Sequence, residues 1–167
     1  MKLIYGVLCH KNSKVLKKMI DILSVNNKIY LHIDLKSNIN DFNEYINNHN
    51  VFFIKNRIDV NWGEFSLVEA TLSILNETKT DKFDYINIIS GDCLPLKSNK
   101  AISEFFLKNN GFEFIGIEND FNNKDLINRV KYIYPKWIFS KENKYKSNKF
   151  IRKIRVKFNI FKKNKYM

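Results

Sequence analysis

The sequence predicts an α/β fold in which helices flank a mainly parallel sheet, and three observations support this prediction. Short apolar runs rich in β-branched residues alternate with segments whose apolar residues recur at helical spacing. Strands that alternate with helices are joined by right-handed crossovers, which cover the faces of a parallel sheet. The chain has 167 residues, of which 44% are hydrophobic, with five Gly and two Pro. This composition is typical of one globular domain with a buried core.

The first three strands are predicted at Leu3–Cys9, Lys28–Ile33 and Val51–Ile54. A helix should follow the first strand, because Ser13 can cap it and apolar residues then recur every three or four positions. A short helix is predicted at Asp41–Asn48, between the second and third strands. The apolar residues of the first helix are Val15, Leu16, Met19, Ile20 and Leu23.

The later elements continue the same alternation. A helix at Phe65–Glu77 has a broad apolar face, and the continuous apolar run Tyr85–Ile89 indicates a buried strand. The remaining predictions are a helix at Lys100–Lys108, a strand at Glu113–Ile117, a helix at Asp125–Tyr134 and a basic amphipathic segment at Phe150–Phe161.

Three of the predicted strands end in residues that can bind a ligand. Ligands of open α/β sheets bind beside the carboxyl ends of the strands. The pattern therefore indicates a binding site at this edge of the sheet. The residues are His32, Asp34 and Lys36 at the end of the second strand and just after it, Lys55, Arg57, Asp59, Trp62 and Gly63 after the third, and Ser90, Gly91 and Asp92 at the end of the fourth and just after it.

Each candidate residue also has a purely structural interpretation. Asp34 and Asp92 could accept hydrogen bonds from ribose hydroxyls or a base edge, or could instead cap a turn. Arg57 and Lys36 could meet phosphates or remain solvated. Trp62 could stack on a base or sugar ring, or pack in a turn. His32 lies inside a strand pattern, which favours a hydrogen-bonded core histidine over a catalyst.

The net charge of +12 is concentrated in the last part of the chain. Residues 141–167 contain eleven of the 29 Lys and Arg residues and a single acidic residue, Glu142. Three interpretations stay open for this tail: a solvated segment, a surface for anionic membranes through residues 141–163, and a nucleic-acid-binding module. Nucleic acid is the least favoured, because the rest of the chain is nearly neutral.

Other functional classes have little support in the sequence. Cys9 and Cys93 lack metal-ligand spacing, and no run approaches the roughly 18 apolar residues of a membrane span. The N-terminus resembles a first core strand more than a signal peptide. There is no G-x-G-x-x-G motif, no P-loop and no D-x-D pair. We therefore expect a cytoplasmic protein with no metal or other cofactor, and peripheral membrane attachment as an open alternative.

Three stretches together resemble one family in order and spacing. They are His32–Lys36 (HIDLK), Arg57–Ser66 (RIDVNWGEFS) followed by Ala70, and Asp84–Ser98 (DYINIISGDCLPLKS). The family is the core-2/I-branching β-1,6-N-acetylglucosaminyltransferase family, which also contains the peptide O-xylosyltransferases. The resemblance covers roughly residues 2–135. Glu64 departs from the pattern, since the family usually has a second Gly after Trp-Gly.

The resemblance implies a GT-A-type fold and transfer of a sugar from a UDP-sugar to a glycan or other hydroxyl acceptor, with inversion. Members without a D-x-D motif use Lys and Arg instead of a metal. Glu118 and Arg129 fall near the stretch that contacts the acceptor. The implied donor-binding residues are Asp34 and Lys36 at the uridine end, Arg57, Trp62 and Gly63 along the cleft, and Ser90, Gly91 and Asp92 at its floor.

The resemblance also implies that the chain is truncated. Residues 1–135 are expected to form the nucleotide-sugar-binding domain, and residues 136–167 a basic, partly helical tail. In the family the catalytic carboxylate and the residues that neutralise the diphosphate come from a second half that follows such a basic segment. We therefore expect no catalytic base among these residues and weak or no sugar transfer by this chain alone.

Overall fold

A computed structural model describes residues 1–61 and 63–115 of the chain. The chain divides into two units, Met1–Phe112 and Glu113–Met167, and the following description concerns the first. Several predictions lie outside the described residues: Trp62, Glu118, Arg129, the helix at Asp125–Tyr134, the amphipathic segment at Phe150–Phe161 and the basic tail.

The first unit has the predicted α/β fold. Four parallel strands, each followed by helical structure, form one sheet in the order β3-β2-β1-β4. A 3-10 helix at Ile39–Tyr45 replaces the helix predicted at Asp41–Asn48. The strands are β1 (Leu3–Cys9), β2 (Lys28–Ile33), β3 (Val51–Phe53) and β4 (Tyr85–Ser90), and the α-helices are α1 (Lys14–Leu23), α2 (Ser66–Thr78) and α3 (Asn99–Lys108).

The core is centred on the two middle strands, β1 and β2. Both are buried along nearly their whole length, because α1 covers one face of the sheet and Ile74 of α2 contributes to the apolar cluster on the other. Helix α1 begins where the sequence predicts, since the Ser13 hydroxyl accepts a hydrogen bond from the Leu16 amide at 3.1 Å. Its buried residues are Leu16, Met19, Ile20 and Leu23.

One prediction of burial is wrong, and one predicted strand is not formed in its described residues. Strand β4 is only partly buried, because in the described part of the chain it lies at the edge of the sheet, and Ile88 is 37% exposed. The broad apolar face of α2 is largely uncovered, and its Leu72 is 52% exposed. The strand predicted at Glu113–Ile117 is not formed at residues 113–115, and its last two residues lie outside the described part.

Candidate functional site

The strand order identifies where a ligand would bind. The chain first builds the sheet from β1 through β2 to β3, and then places β4 on the other side of β1. Ligands of open α/β sheets bind where the order reverses, beside the carboxyl ends of the strands. In this sheet that point lies between β1 and β4. Lys11 follows β1 and Asp92 follows β4, and their side chains form an exposed ion pair at 3.4 Å across this point.

Asp34 lies at the carboxyl end of β2, one strand away from the reversal. Only 6% of its surface is exposed. Its amide donates to the Cys9 carbonyl at 2.8 Å, which continues the pairing of β2 with β1 beyond the strands. Its Oδ1 accepts from the Lys36 amide at 2.9 Å, and its carbonyl accepts from the Ser37 amide at 2.9 Å. Asp34 thus organises a turn, the Asp34 loop (residues 34–37), at the carboxyl end of β2.

The Lys36 ammonium compensates the negative charge of this edge. It lies 3.3 Å from Asp34 Oδ1, donates to the Val60 carbonyl at 2.6 Å, and also bonds the Asp59 carboxylate. Desolvation alone would lower the pKa of Lys36, but the hydrogen bond and charge of Asp59, together with Asp34, outweigh it and raise the pKa. Lys36 is therefore a charged link between the Asp34 loop and residues 57–60.

Arg57 bonds the backbone of the Asp34 loop. Its Nε donates to the carbonyl of Ile33 at 2.9 Å, and its Nη2 donates to the carbonyls of Asp34 at 2.7 Å and Ser37 at 2.6 Å. A longer contact of 3.4 Å joins Nη2 to the Leu35 carbonyl. The guanidinium is thus bonded to the backbone from the end of β2 to the end of the loop.

His32 is a hydrogen-bonded core residue, as its position in the strand pattern predicts. It is 1% exposed, and its Nε2 accepts from the Ile58 amide at 3.0 Å. Burial lowers the pKa of His32. The ring is therefore neutral at pH 7 and joins β2 to the segment that contains Arg57, which makes its role structural.

The residues after β4 approach β1 very closely. Gly91 is buried, and its amide donates to the Leu8 carbonyl at 2.8 Å. A Cβ atom on Gly91 would lie 2.7 Å from the Cβ of Cys9, a separation that neither side chain could relieve by rotation. The Ser90 hydroxyl accepts from the Asp92 amide at 3.3 Å. The Ser-Gly-Asp sequence therefore allows the chain after β4 to approach β1 closely. The Asp92 side chain remains half exposed.

Gly63 has a backbone conformation that favours glycine. Its φ of 83° lies in the left-handed region, where a Cβ atom is strained. The Glu64 amide donates to the Asn61 carbonyl at 3.1 Å, and the Asn61 amide donates to the Ser66 hydroxyl at 2.9 Å. This turn leads into α2 and accommodates Glu64, where the family has a second Gly.

The sequence reasoning missed Lys11. The same rule that identified Asp34 and Asp92, a polar residue shortly after a strand, also applies to Lys11 after β1. The structure brings Lys11, Asp34, Lys36, Arg57 and the residues after β4 to one edge of the sheet. Trp62, Glu118 and Arg129 lie outside the described residues.

Two surface cavities do not coincide with this edge. One of about 480 Å³ is lined by residues that include Tyr30, Phe52 and Glu77, and one of about 660 Å³ by residues that include Lys2 and Asp84. None of the predicted donor-binding residues that the structure describes lines either cavity. We favour the carboxyl edge as the site, because the topology and the polar side chains both point to it.

Residues 1–61 and 63–115 contain neither a cluster of metal-binding side chains nor a helix that could cross a membrane. No group of three or more His, Cys, Asp or Glu side chains is arranged to hold a metal ion, and Cys9 and Cys93 are both free. Within the same residues, no helix combines the length and apolar character that a membrane crossing requires.

The sheet topology and the flanking helices define the chain as a Rossmann-like α/β protein. A family model described as Branch: Core-2/I-Branching enzyme matches residues 4–166, and the chain belongs to this family. The fold is accordingly of the GT-A type, and the family implies glycosyltransferase activity with a nucleotide-sugar donor and a glycan acceptor in general. No curated protein matches the chain.

Proposed function

We propose that this chain binds a UDP-sugar at the carboxyl edge of the sheet and belongs to an inverting, metal-independent glycosyltransferase. The transfer would be of the β-1,6-N-acetylglucosaminyl- or xylosyltransferase type, to a hydroxyl group of a glycan or other acceptor. In this proposal the described residues supply the donor part of the site. The acceptor contacts are assigned to Glu118 and Arg129.

The position of Asp34 carries the proposal. A buried carboxylate at the end of β2, one strand from the reversal, occupies the place from which an acidic residue bonds ribose hydroxyls in dinucleotide-binding sheets. The phosphates of a nucleotide bound in this way would extend toward the reversal between β1 and β4. Lys11 lies there with its ammonium exposed.

Charge at the edge supports a metal-independent mechanism as part of the proposal. A departing diphosphate needs positive charge beside it, which Lys or Arg can supply in place of a metal ion. The exposed ammonium of Lys11 is the candidate in the described part of the chain. Donor binding that is unchanged in EDTA would agree with this mechanism, and binding restored only by Mg²⁺ or Mn²⁺ would contradict it.

The experiment is a calorimetric titration of the protein with UDP, UDP-N-acetylglucosamine and UDP-xylose in EDTA, with ATP as the control nucleotide. Saturable binding of UDP and no binding of ATP are expected. The isosteric change Asp34→Asn should weaken UDP binding about tenfold, because a carboxylate accepts stronger hydrogen bonds than an amide. Asp21→Asn, on an exposed position of α1, is the matched control and should bind as the wild type does.

Failure of the folded wild-type protein to bind UDP would refute the proposed donor site. Equal binding by Asp34→Asn and wild type would refute the role of Asp34. Far-UV circular dichroism and thermal unfolding of each variant would establish that a loss of binding does not reflect a loss of fold.

The basic segment 141–163 is proposed as the part of the chain that meets an anionic membrane surface, at a cytoplasmic location. Clustered Lys and Arg residues are attracted to anionic lipids by about 1 kcal/mol each near the surface. Co-sedimentation with vesicles that contain phosphatidylserine, lost when residues 141–163 are removed, is the expected result. Equal sedimentation with neutral vesicles would contradict it.

A further inference from the structure

We propose that Arg57 is a positioning residue of the donor site, whose guanidinium holds the Asp34 loop in the shape that binds uridine and does not bind the phosphates of the donor. This inference rests on the proposed function, because it assigns the Asp34 loop to the uridine of a UDP-sugar. It differs from the expectation that Arg57 itself lines the donor cleft.

The side-chain hydrogen bonds of Arg57 all lead to the backbone of Ile33 and of the Asp34 loop. Three short bonds, of 2.6 to 2.9 Å, join Nε and Nη2 to the carbonyls of Ile33, Asp34 and Ser37. A guanidinium presents its donors in a rigid planar fork, so that one side chain can bond several acceptors in a fixed arrangement. The fork therefore sets the spacing between the end of β2 and the end of the loop.

The loop needs such a partner because the strand ladder ends at Ile33. Carbonyl groups shielded from water require hydrogen-bond partners, and removing a partner costs more than the bond itself contributes. Asp34 is 6% exposed, so its own backbone carbonyl has little access to water, whereas Leu35 and Lys36 after it are exposed. Without the guanidinium the loop would have to turn its carbonyl groups outward, and the Asp34 carboxylate would move with them.

The segment that contains Arg57 is itself hydrogen-bonded to β2 and to the Asp34 loop. The Ile58 amide donates to His32 Nε2 at 3.0 Å, and the Ile58 carbonyl accepts from the Leu35 amide at 3.0 Å. Arg57 therefore extends from a backbone that is anchored to β2. A phosphate bound at Nε or Nη2 would have to take N–H groups away from these carbonyls, whereas a positioning role uses these N–H groups as they are.

The test compares uridine, which has no phosphate, with UDP. Arg57→Ala should weaken the binding of both by the same factor, about tenfold, because a disordered loop must be ordered again on binding. Arg57→Lys should behave in the same way, since one ammonium cannot replace the planar fork. Lys18→Ala, an exposed cation of α1, is the control and should bind both ligands normally.

A second measurement needs no ligand at all. Hydrogen–deuterium exchange of the free protein should accelerate at the amides of Leu35, Lys36 and Ser37 in both Arg57 variants, while the amides of β1 and α1 keep their protection. If the wild type binds neither uridine nor UDP, the proposed function fails. Hydrogen–deuterium exchange would still test whether Arg57 holds the Asp34 loop.

Two results would overturn the inference. One is a loss of UDP binding in Arg57→Ala that greatly exceeds the loss of uridine binding, which would identify Arg57 as a phosphate ligand. The other is unchanged exchange in the Asp34 loop, which would mean that the four carbonyl contacts do not hold it. Circular dichroism and urea unfolding of both variants separate these outcomes from global unfolding.

Discussion

The two sides of the carboxyl edge differ in how firmly they are built. On the β2 side, Arg57, Lys36 and His32 bond the Asp34 loop and residues 57–60 into one network. On the β4 side, Gly91 bonds the Leu8 carbonyl and packs against Cys9, and beyond it the chain is held by a turn and by the exposed ion pair of Lys11 and Asp92. The β2 side of the edge is therefore ordered before any ligand binds, whereas the β4 side is exposed to solvent.

This difference matches the two parts of a nucleotide-sugar. The nucleotide is constant, and a preformed pocket binds it without the cost of ordering a loop. The opposite half would face the diphosphate and the sugar, where exposed charges can be displaced or rearranged. Substitutions on either side of the edge test this comparison. The largest loss of stability is expected where the β4 side meets β1.

Gly91→Ala should destabilise the protein most, although it lies on the open side. The new Cβ would lie 2.7 Å from the Cys9 Cβ, so the two strand ends must separate, which should cost about 2 kcal/mol of unfolding free energy. Urea unfolding measures this cost. Gly111→Ala is the control, because a Cβ there meets nothing within 4 Å and only the positive φ is strained. An equal loss in both variants would show that strand contact is not the cause.

The β2 side should weaken in acid through His32. The folded-state pKa of His32 is lowered by burial, so the unfolded chain binds the proton more readily and stability falls as the pH drops below about 6.5. Protonation also removes the acceptor of the Ile58 amide, worth about 1 kcal/mol. Urea unfolding from pH 7.5 to 5 should show this loss.

His32→Gln is the matched variant for this prediction, because its side-chain oxygen can accept the Ile58 amide hydrogen but does not titrate. Its stability should depend less on pH than that of the wild type. The exposed residues His10 and His49 are present in both proteins and contribute the same background. The same acid dependence in both proteins would exclude His32 as its source.

Lys36→Met tests the electrostatic part of the same network. One of its partners, Asp34, is buried. The free energy of unfolding should therefore fall by about 1 kcal/mol, near the upper end of the range for an ion pair of an exposed cation. The comparison is Lys17→Met, whose partner Glu44 is more exposed and should matter less. Unfolding in low salt and in 1 M NaCl is the measurement. A loss that salt does not reduce would point to packing of the aliphatic chain instead of charge.

The sequence predicts the middle of this fold better than its sides. Strands β1 and β2 are buried along their length, so their apolar runs coincide with their boundaries. Helical periodicity shows that α2 has an apolar side, but it does not tell what covers that side, and Leu72 remains half exposed. For the same reason the apolar run of β4 does not reveal that, among the strands that the structure describes, this one lies at the edge of the sheet.

The candidate site was predictable in location but not in the role of each residue. The strand-end rule found Asp34 because position alone identifies it. It could not assign Arg57, since the acceptors of Arg57 are backbone carbonyls, and these have no signature in the sequence. Lys11 was not predicted for a related reason. Its partner Asp92 follows a different strand, and only the order of the strands in the sheet brings the two residues together.

Lys11→Met should have the smallest effect on stability and the most selective effect on binding. Its ion pair with Asp92 is exposed on both sides, so the unfolding free energy should change by less than about 0.5 kcal/mol. UDP binding should nevertheless fall severalfold while uridine binding stays the same, because only UDP brings phosphates to the reversal between β1 and β4. Lys14→Met, at the exposed start of α1, is the control. If Lys11→Met weakens uridine as much as UDP, the open side does not face the diphosphate, and the division of the edge into a uridine half and a phosphate half is wrong.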